Sequence, residues 1–341
     1  MKDPKTIANI PEPSGDEFFF GTFERMLDGY RRVIIFKEAF GSGIFDLTEE
    51  TISSDDITGK LSFDPDMCRL FCEALVGMGM LEKDGEGYRN TPLSSLYFVR
   101  SSPYYQKENV GLTMKRLSQW DSLGDVLRDG PAVVPPEEMF NEAWITAIGE
   151  GAVSGSVGSV LRFIEERIDM DSLHSMIDVG GGHALYTIGF CARHPNIKGT
   201  VFDRGKIVDV ARKNIEEYGS GAEVIRGDYT VDPLGGPYDL VFSSFNGSCS
   251  TRDMAEKMAG AVAEGGYMVA RRHLPSRGKD PIANLGWNLT VFDISMKGKP
   301  RHSAHSADND GFDEEVCRLG LEIVCKEDFD ETSYMTVYRR R

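Results

Sequence analysis

The chain has 341 residues, of which 40% are hydrophobic and 27% charged, enough apolar content for two packed domains and too much for wholesale disorder. Lys plus Arg number 38 against 54 Asp plus Glu, a formal net charge of −16. Such acidity repels nucleic-acid phosphates and anionic lipid, and no uninterrupted apolar run offers a membrane span. The polar start, MKDPKTIANIPEPSGDE, lacks the basic-then-apolar order of a secretory leader, so a cytoplasmic location is expected. Six cysteines are too few for a disulfide framework. Cys68 and Cys72 lie four apart in a helical pattern and read as small buried hydrophobes, because no second ligand pair follows at zinc-site spacing.

Residues 1–17 read as a loose N-terminal arm. Residues 18–103 read as one small domain. Phe23, Met26, Tyr30, Val33 and Ile34 recur at helical spacing up to a stop at Gly41-Ser42-Gly43. Ser53-Ser54-Asp55-Asp56 offers a helix cap, and Phe63-Asp64-Pro65 opens a second helix with Met67, Leu70, Phe71, Ala74, Leu75 and Met78 expected on one face. Met80 to Arg89 reads as two short strands around a tight turn. Helix, helix, hairpin is a winged-helix order. Its candidate recognition helix carries Asp64, Asp66 and Glu73 against the single Arg69, so a packing and dimerisation role is expected over DNA binding. Residues 104–170 read as a helical connector and lid, broken at Gly130-Pro131 and Pro135-Pro136 and bent between Gly149 and Gly158.

From residue 171 to 341 strands and helices alternate. Strands are expected at 175–179, 199–203, 222–225, 238–243 and 266–270, with helices between, and an antiparallel pair closes the chain at 321–324 and 334–338. The pattern predicts an α/β fold, a doubly wound, mostly parallel sheet. The informative cluster is Asp178-Val179-Gly180-Gly181-Gly182-His183. Glycines directly after a strand let the backbone approach a ligand at the carboxyl edge of the sheet. The next strand ends in Asp203, suited to the two hydroxyls of a ribose, and the third leads to Asp228-Tyr229, suited to an adenine amino group and its ring face. Together they describe an adenosine pocket. A dinucleotide pocket is the competitor, but Leu185 stands where its third glycine belongs.

These residues resemble the S-adenosylmethionine-dependent O-methyltransferases of the caffeate and hydroxyindole type. Asp178 to Gly182 looks like that family's DVGGG, followed in order by His194-Pro195-Asn196 and by Gly199 to Asp203. Gly227-Asp228-Tyr229 is similar to its GDxF segment, and Ala270 to Pro275 occupies its VERVLP segment. Gly43 to Leu47, Leu75 to Leu81 and Tyr88 to Leu93 look like its winged-helix dimerisation domain, and Phe140 to Trp144 like its FNxAM segment. The resemblance implies S-adenosylmethionine as cofactor, held by Gly180, Gly182, Asp203, Asp228, Tyr229 and Ser244, and a homodimer formed through the N-terminal domain.

The departures shape the expected chemistry. Where the family carries its general-base His, the alignment places Ser248, followed by Cys249 and Ser250, and Arg271 replaces an acid. A phenol with an ordinary pKa needs a base at neutral pH, and a serine hydroxyl is a poor one. Three readings stand: transfer to an already nucleophilic acceptor by alignment alone, so that carbon or sulfur competes with oxygen; another base, with His273 first by position; or a fold that has lost methyl transfer and binds a ligand or does other cofactor chemistry. Arg271 and Arg272, at a strand end, could hold an anionic acceptor or pair with structural carboxylates. Phe140, Met114, Trp144 and Trp287 are candidate walls of a pocket for a small cyclic or anionic molecule. His302, His305, Asp308 and Asp310 could ligate a metal, but read as a solvated loop, and no metal is expected.

Overall fold

In the computed structural model, residues 17–135, 138, 141–249, 251–274, 280–291 and 311–341 are described. The chain divides into two compact units, Met1–Tyr105 and Gln106–Arg341. Of the stretch expected as a helical connector and lid, 104–170, residues 106–170 fall within the second unit.

In the first unit, the helix Glu24–Ser42 stops at Gly43, whose φ of 76° is left-handed. The side chain of Ser53 caps the helix Ser54–Leu61, and Asp64 caps Pro65–Gly77, with Pro65 in the first turn. A hairpin follows, of β1 (Leu81–Asp84) and β2 (Gly87–Asn90), and Ile52 bridges to Tyr88. Ala39, Ile44, Phe45, Ile57, Cys68, Cys72 and Leu75 form the core. The buried face of Pro65–Gly77 is therefore Cys68, Cys72 and Leu75, whereas Met67 and Leu70 stay exposed, a correction to the expected face. The apolar residues of this helix span more than one face, and its shorter side chains take the inner one. Arg69 pairs with Asp66 on the same helix.

The second unit holds β3 (Ala132–Val133), β4 (Ser175–Val179), β5 (Lys198–Asp203), β6 (Glu223–Arg226), β7 (Tyr238–Ser244), β8 (Val262–His273), β9 (Thr290–Val291), β10 (Leu321–Asp330) and β11 (Ser333–Arg340). Seven of these form one sheet in the order β10-β11-β8-β7-β4-β5-β6. Pairing is parallel from β6 through β8, and antiparallel where β11 meets β8 and β10. β3 and β9 form a small parallel pair of their own.

Alternation along the strands fills both faces of the sheet. Ile177, Val179, Val241, Met268 and Ala270 pack against helices Arg252–Gly260 and Phe312–Arg318. Met176, Leu240, Phe242 and Val269 pack against Val157–Glu165 and Leu185–Arg193. Burial on both faces is why the central strands read as continuous apolar runs. The chain leaves β4 for β5 and β6, then returns to β7 on the other side of β4. The carboxyl end of β4 is therefore the switch point, where an open α/β sheet leaves a crevice.

Candidate cofactor site at the switch point of the sheet

The turn after β4 is held by backbone and by one asparagine. Gly180 has φ of 72°, and a Cβ there would lie 2.5 Å from the Asn246 amide nitrogen. That amide donates to the Val179 carbonyl at 2.8 Å. A Cβ at Gly181 would lie 2.7 Å from the carboxyl carbon of Asp178. Asp178 is buried, accepts from the Thr187 hydroxyl at 3.1 Å, and is pushed up to about 7 by desolvation. Only glycine lets the chain pass between these groups.

The adjacent strand ends converge on this turn. Asp203 is buried; one carboxylate oxygen accepts the Gly182 N–H at 2.9 Å and the other the Arg204 N–H at 2.7 Å. Desolvation raises its pKa, and those two N–H groups oppose the rise. The Asp203 carbonyl accepts the Gly227 N–H at 2.9 Å, one residue before Asp228. Asp228 takes the Thr230 N–H and hydroxyl on Oδ1, which lowers its pKa, and its Oδ2 has no hydrogen bond among the described residues. Tyr229 is half-buried, its carbonyl accepts from Lys257, and burial raises its phenol. At the end of β7 the buried Ser244 hydroxyl has no hydrogen-bond partner among the described residues. Gly180, Gly182, Asp203, Asp228 and Tyr229 are thus brought to three neighbouring strand ends, with Ser244 on the far side of β4.

The helix Glu142–Gly151 covers the turn. Ile145 would lie 3.6 Å from a Cβ at Gly182, and a Cβ at Gly149 would meet His183 at 3.2 Å. His183 is buried and neutral: its Nδ1 accepts the Leu185 N–H at 3.1 Å, and desolvation lowers its pKa to about 4.

The candidates expected for catalysis and acceptor binding are placed differently. Ser248 is fully buried, and its hydroxyl is 2.6 Å from that of Ser243 and 2.5 Å from Asn246 Oδ1. It closes the turn after β7 and is shut off from solvent. Arg271 is buried between the Phe245 and Phe329 rings and donates to Asp330, Ser156, Tyr186 and Ser333. Arg272 is buried and donates to Asp313, Thr336 and Tyr338. Burial alone would depress Arg272, but Tyr338, Cys249 and Asp313 beside it raise it and keep it charged. Each arginine has a carboxylate and hydroxyls within the fold, which supports a structural part for both, while Arg272 Nε and Nη1 are buried with no hydrogen-bond partner among the described residues. His273 is half-buried with its ring stacked on Phe245, centroids 4.1 Å apart.

Met114, Trp144 and Trp287 are half-buried on helices Lys107–Ser118, Glu142–Gly151 and Pro281–Trp287. Phe140, Ser250, His302, His305, Asp308 and Asp310 lie outside the described residues. Among the described residues no cluster of three His, Cys, Asp or Glu side chains could hold a metal ion, and no helix is long and apolar enough to cross a membrane. Asn246, which clamps Gly180, was not singled out from sequence; its only signal was its place just after the fourth strand of the alternation.

Comparison with known proteins agrees with this fold. The O-methyltransferase dimerisation domain matches residues 24–100, and the O-methyltransferase domain matches residues 154–307, together about two thirds of the chain. The chain belongs to the S-adenosylmethionine-dependent O-methyltransferase family with an N-terminal dimerisation domain. It is 26% identical over 222 residues to the N,N-dimethyltransferase OxyT of Streptomyces rimosus, covering 62% of this chain and 64% of OxyT. The chain spans less than two thirds of the length of the first curated relatives it matches. An O-methyltransferase family protein from Burkholderia thailandensis superposes with a TM-score of 0.73 at 21% identity, over 94% of this chain and 97% of that one. Human N-acetylserotonin methyltransferase, solved in complex with S-adenosylmethionine, gives 0.70 at 20% identity, over 96% and 99%. At these identities the likeness shows the fold, a Rossmann-like methyltransferase core with a helical N-terminal domain.

Proposed function

We propose that this chain transfers a methyl group from S-adenosylmethionine to a small organic acceptor. The observation that carries the reading is the convergence of three strand ends, with the Gly182 N–H on the Asp203 carboxylate and Asp228 one residue from the Asp203 carbonyl. The donor set fits the cofactor. Asp203 keeps lone pairs beyond its two backbone bonds for the ribose hydroxyls. Asp228 offers an oxygen to the adenine amino group, Tyr229 a ring beside it, and the orphaned Ser244 hydroxyl a polar contact at the far edge. Gly180 to Gly182 let the main chain approach the amino-acid end. The acidic surroundings suit a sulfonium cation, and the bound cofactor supplies an electrophilic methyl group.

Catalysis in this reading rests on alignment of acceptor, methyl and sulfur, worth several kcal/mol in well-oriented systems. The buried hydroxyl of Ser248 argues against its taking a proton, so an acceptor that is nucleophilic without a base is favoured, and nitrogen, carbon or sulfur stand beside oxygen. The name of OxyT supports nitrogen as one possibility for this chain. We further propose a cytoplasmic homodimer with no nucleic-acid partner. Exposed Phe23, Met26, Tyr30 and Ile34 at helical spacing, with Met67 and Leu70, support self-association through the first unit. The pairing of Arg69 with Asp66 leaves little positive charge on the winged helix for phosphate.

Calorimetry with S-adenosylmethionine, followed by isotope-labelled methyl transfer into fractionated extracts, tests the proposal. Binding and label transfer are expected. Binding without transfer to any fraction would favour a ligand-sensing role, and affinity for a nicotinamide nucleotide instead would overturn the reading.

A further inference from the structure

Arg116 sits in the last turn of helix Lys107–Ser118, with its guanidinium carbon 4.3 Å above the centre of the Trp144 ring. Arg116 is exposed overall, and partial desolvation of its guanidinium lowers its pKa. Among the described residues no carboxylate pairs with it, whereas Arg128, Arg167, Arg193, Arg271 and Arg272 of the same unit are each held by one. Arg116 and the neighbouring Lys115 are both exposed cations at this helix C-terminus, where a cation is favoured. The dipole does not require a guanidinium laid on an indole.

The stack involves the helix that covers the glycine turn. Trp144 is one residue before Ile145, which lies over Gly182, so its helix also covers the glycine turn. Trp120 follows Arg116 by four residues on a continuing helical run and shares its face. A Cβ at Gly286, one residue before Trp287, would lie 2.8 Å from the Trp120 ring. Trp144 thus touches this guanidinium, Trp120 lies one turn further along the Arg116 helical run, and the helix ending at Trp287 packs on Trp120. One guanidinium face is covered by indole, and its N–H edge can pair bidentately with a planar carboxylate. Flat indole walls suit a flat ligand.

We propose that Arg116 determines acceptor specificity, and that the acceptor class is a flat aromatic acid whose carboxylate is taken by the guanidinium stacked on Trp144. The inference rests on the methyl-transfer reading. It replaces Arg271 and Arg272 as the anion-binding groups with an arginine that has no carboxylate of its own.

The test is calorimetry on the full chain saturated with S-adenosylhomocysteine. The probes are a hydroxybenzoate and a hydroxynaphthoate, each against its carboxamide. At least one acid is expected to bind about tenfold or more tighter than its amide, a preference weakened by salt. Arg116→Gln is expected to bring acid and amide within about twofold, and Arg116→Lys to keep part of the preference, because charge without the planar fork pairs less well. Affinity for S-adenosylhomocysteine and the melting temperature are expected to stay unchanged in both variants. Equal binding of acid and amide, no binding of either pair, or a preference that survives Arg116→Gln would each overturn the assignment. A wild-type chain that fails to bind S-adenosylhomocysteine would instead sink the methyl-transfer reading beneath it.

Discussion

The strand ends that meet at Gly180, Asp203 and Asp228 are held together by main-chain hydrogen bonds, whereas the helices that carry Arg116, Trp120 and Trp144 meet through side chains. On the first side, the Gly182 and Gly227 N–H groups both go to Asp203. On the second, a guanidinium lies on an indole, and a ring packs on the backbone of Gly286. Main-chain geometry tolerates almost no substitution at its glycines and presents the same donors whatever the neighbouring side chains are. A wall of side chains can change its ligand by changing one residue. The strand-end side is thus constrained by the fold, and the tryptophan side by composition.

The largest break in this comparison is expected at the glycine turn. Gly180→Val places a branched side chain at a left-handed φ and against Asn246, at a cost of about 2–4 kcal/mol. Affinity for S-adenosylmethionine should fall below calorimetric detection while the melting of the first unit is retained. Acid should expose the turn next. The folded pKa of His183 is depressed to about 4 against 6.5 for the free side chain, so its contribution is present above 6.5 and is lost as pH falls toward 4. The loss amounts to at most about 3 kcal/mol, and urea titrations at several pH values should show His183→Gln flattening that slope.

Arg271→Met should cost about 2 kcal/mol, less than a fully buried pair, because the freed Asp330 carboxylate is partly exposed and can rehydrate. Its affinity for S-adenosylmethionine should stay within about threefold of wild type, which would separate the structural arginine from the site. Ser248→Ala is the smallest change, about 1 kcal/mol, since Asn246 Oδ1 still accepts from Ser243 and the Ser248 N–H. Turnover should stay within a few-fold. A collapse of kcat with folding intact would make Ser248 part of the chemistry after all.

The glycine turn and its neighbouring strand ends were largely legible in the sequence, because each of their features is local. β4 runs into glycines, β5 ends in Asp203 and β6 leads into Gly227-Asp228, and for these three the order along the chain is the order in the sheet. The ends of β8 were not legible. The strand runs to His273, and its two arginines find Asp313, Asp330 and Tyr338 some 40 to 66 residues later, through an antiparallel pairing that local pattern does not specify. Ser248 kept its place in the alignment, but its burial follows from a turn closed by Asn246 and Ser243. The Arg116–Trp144 stack joins two helices whose facing sides emerge only when they pack. Met67 and Leu70 show the opposite failure, apolar residues that the pattern assigned to the core and the first unit leaves exposed.

Calorimetric titration of wild type and Asp203→Ala with S-adenosylmethionine tests the central claim most directly. The account predicts a measurable wild-type affinity that drops about 100-fold in the variant, through the loss of charge-assisted bonds to two hydroxyls, with the melting temperature lowered because the Gly182 and Arg204 N–H groups lose their acceptor. Equal affinity in the two proteins would contradict it.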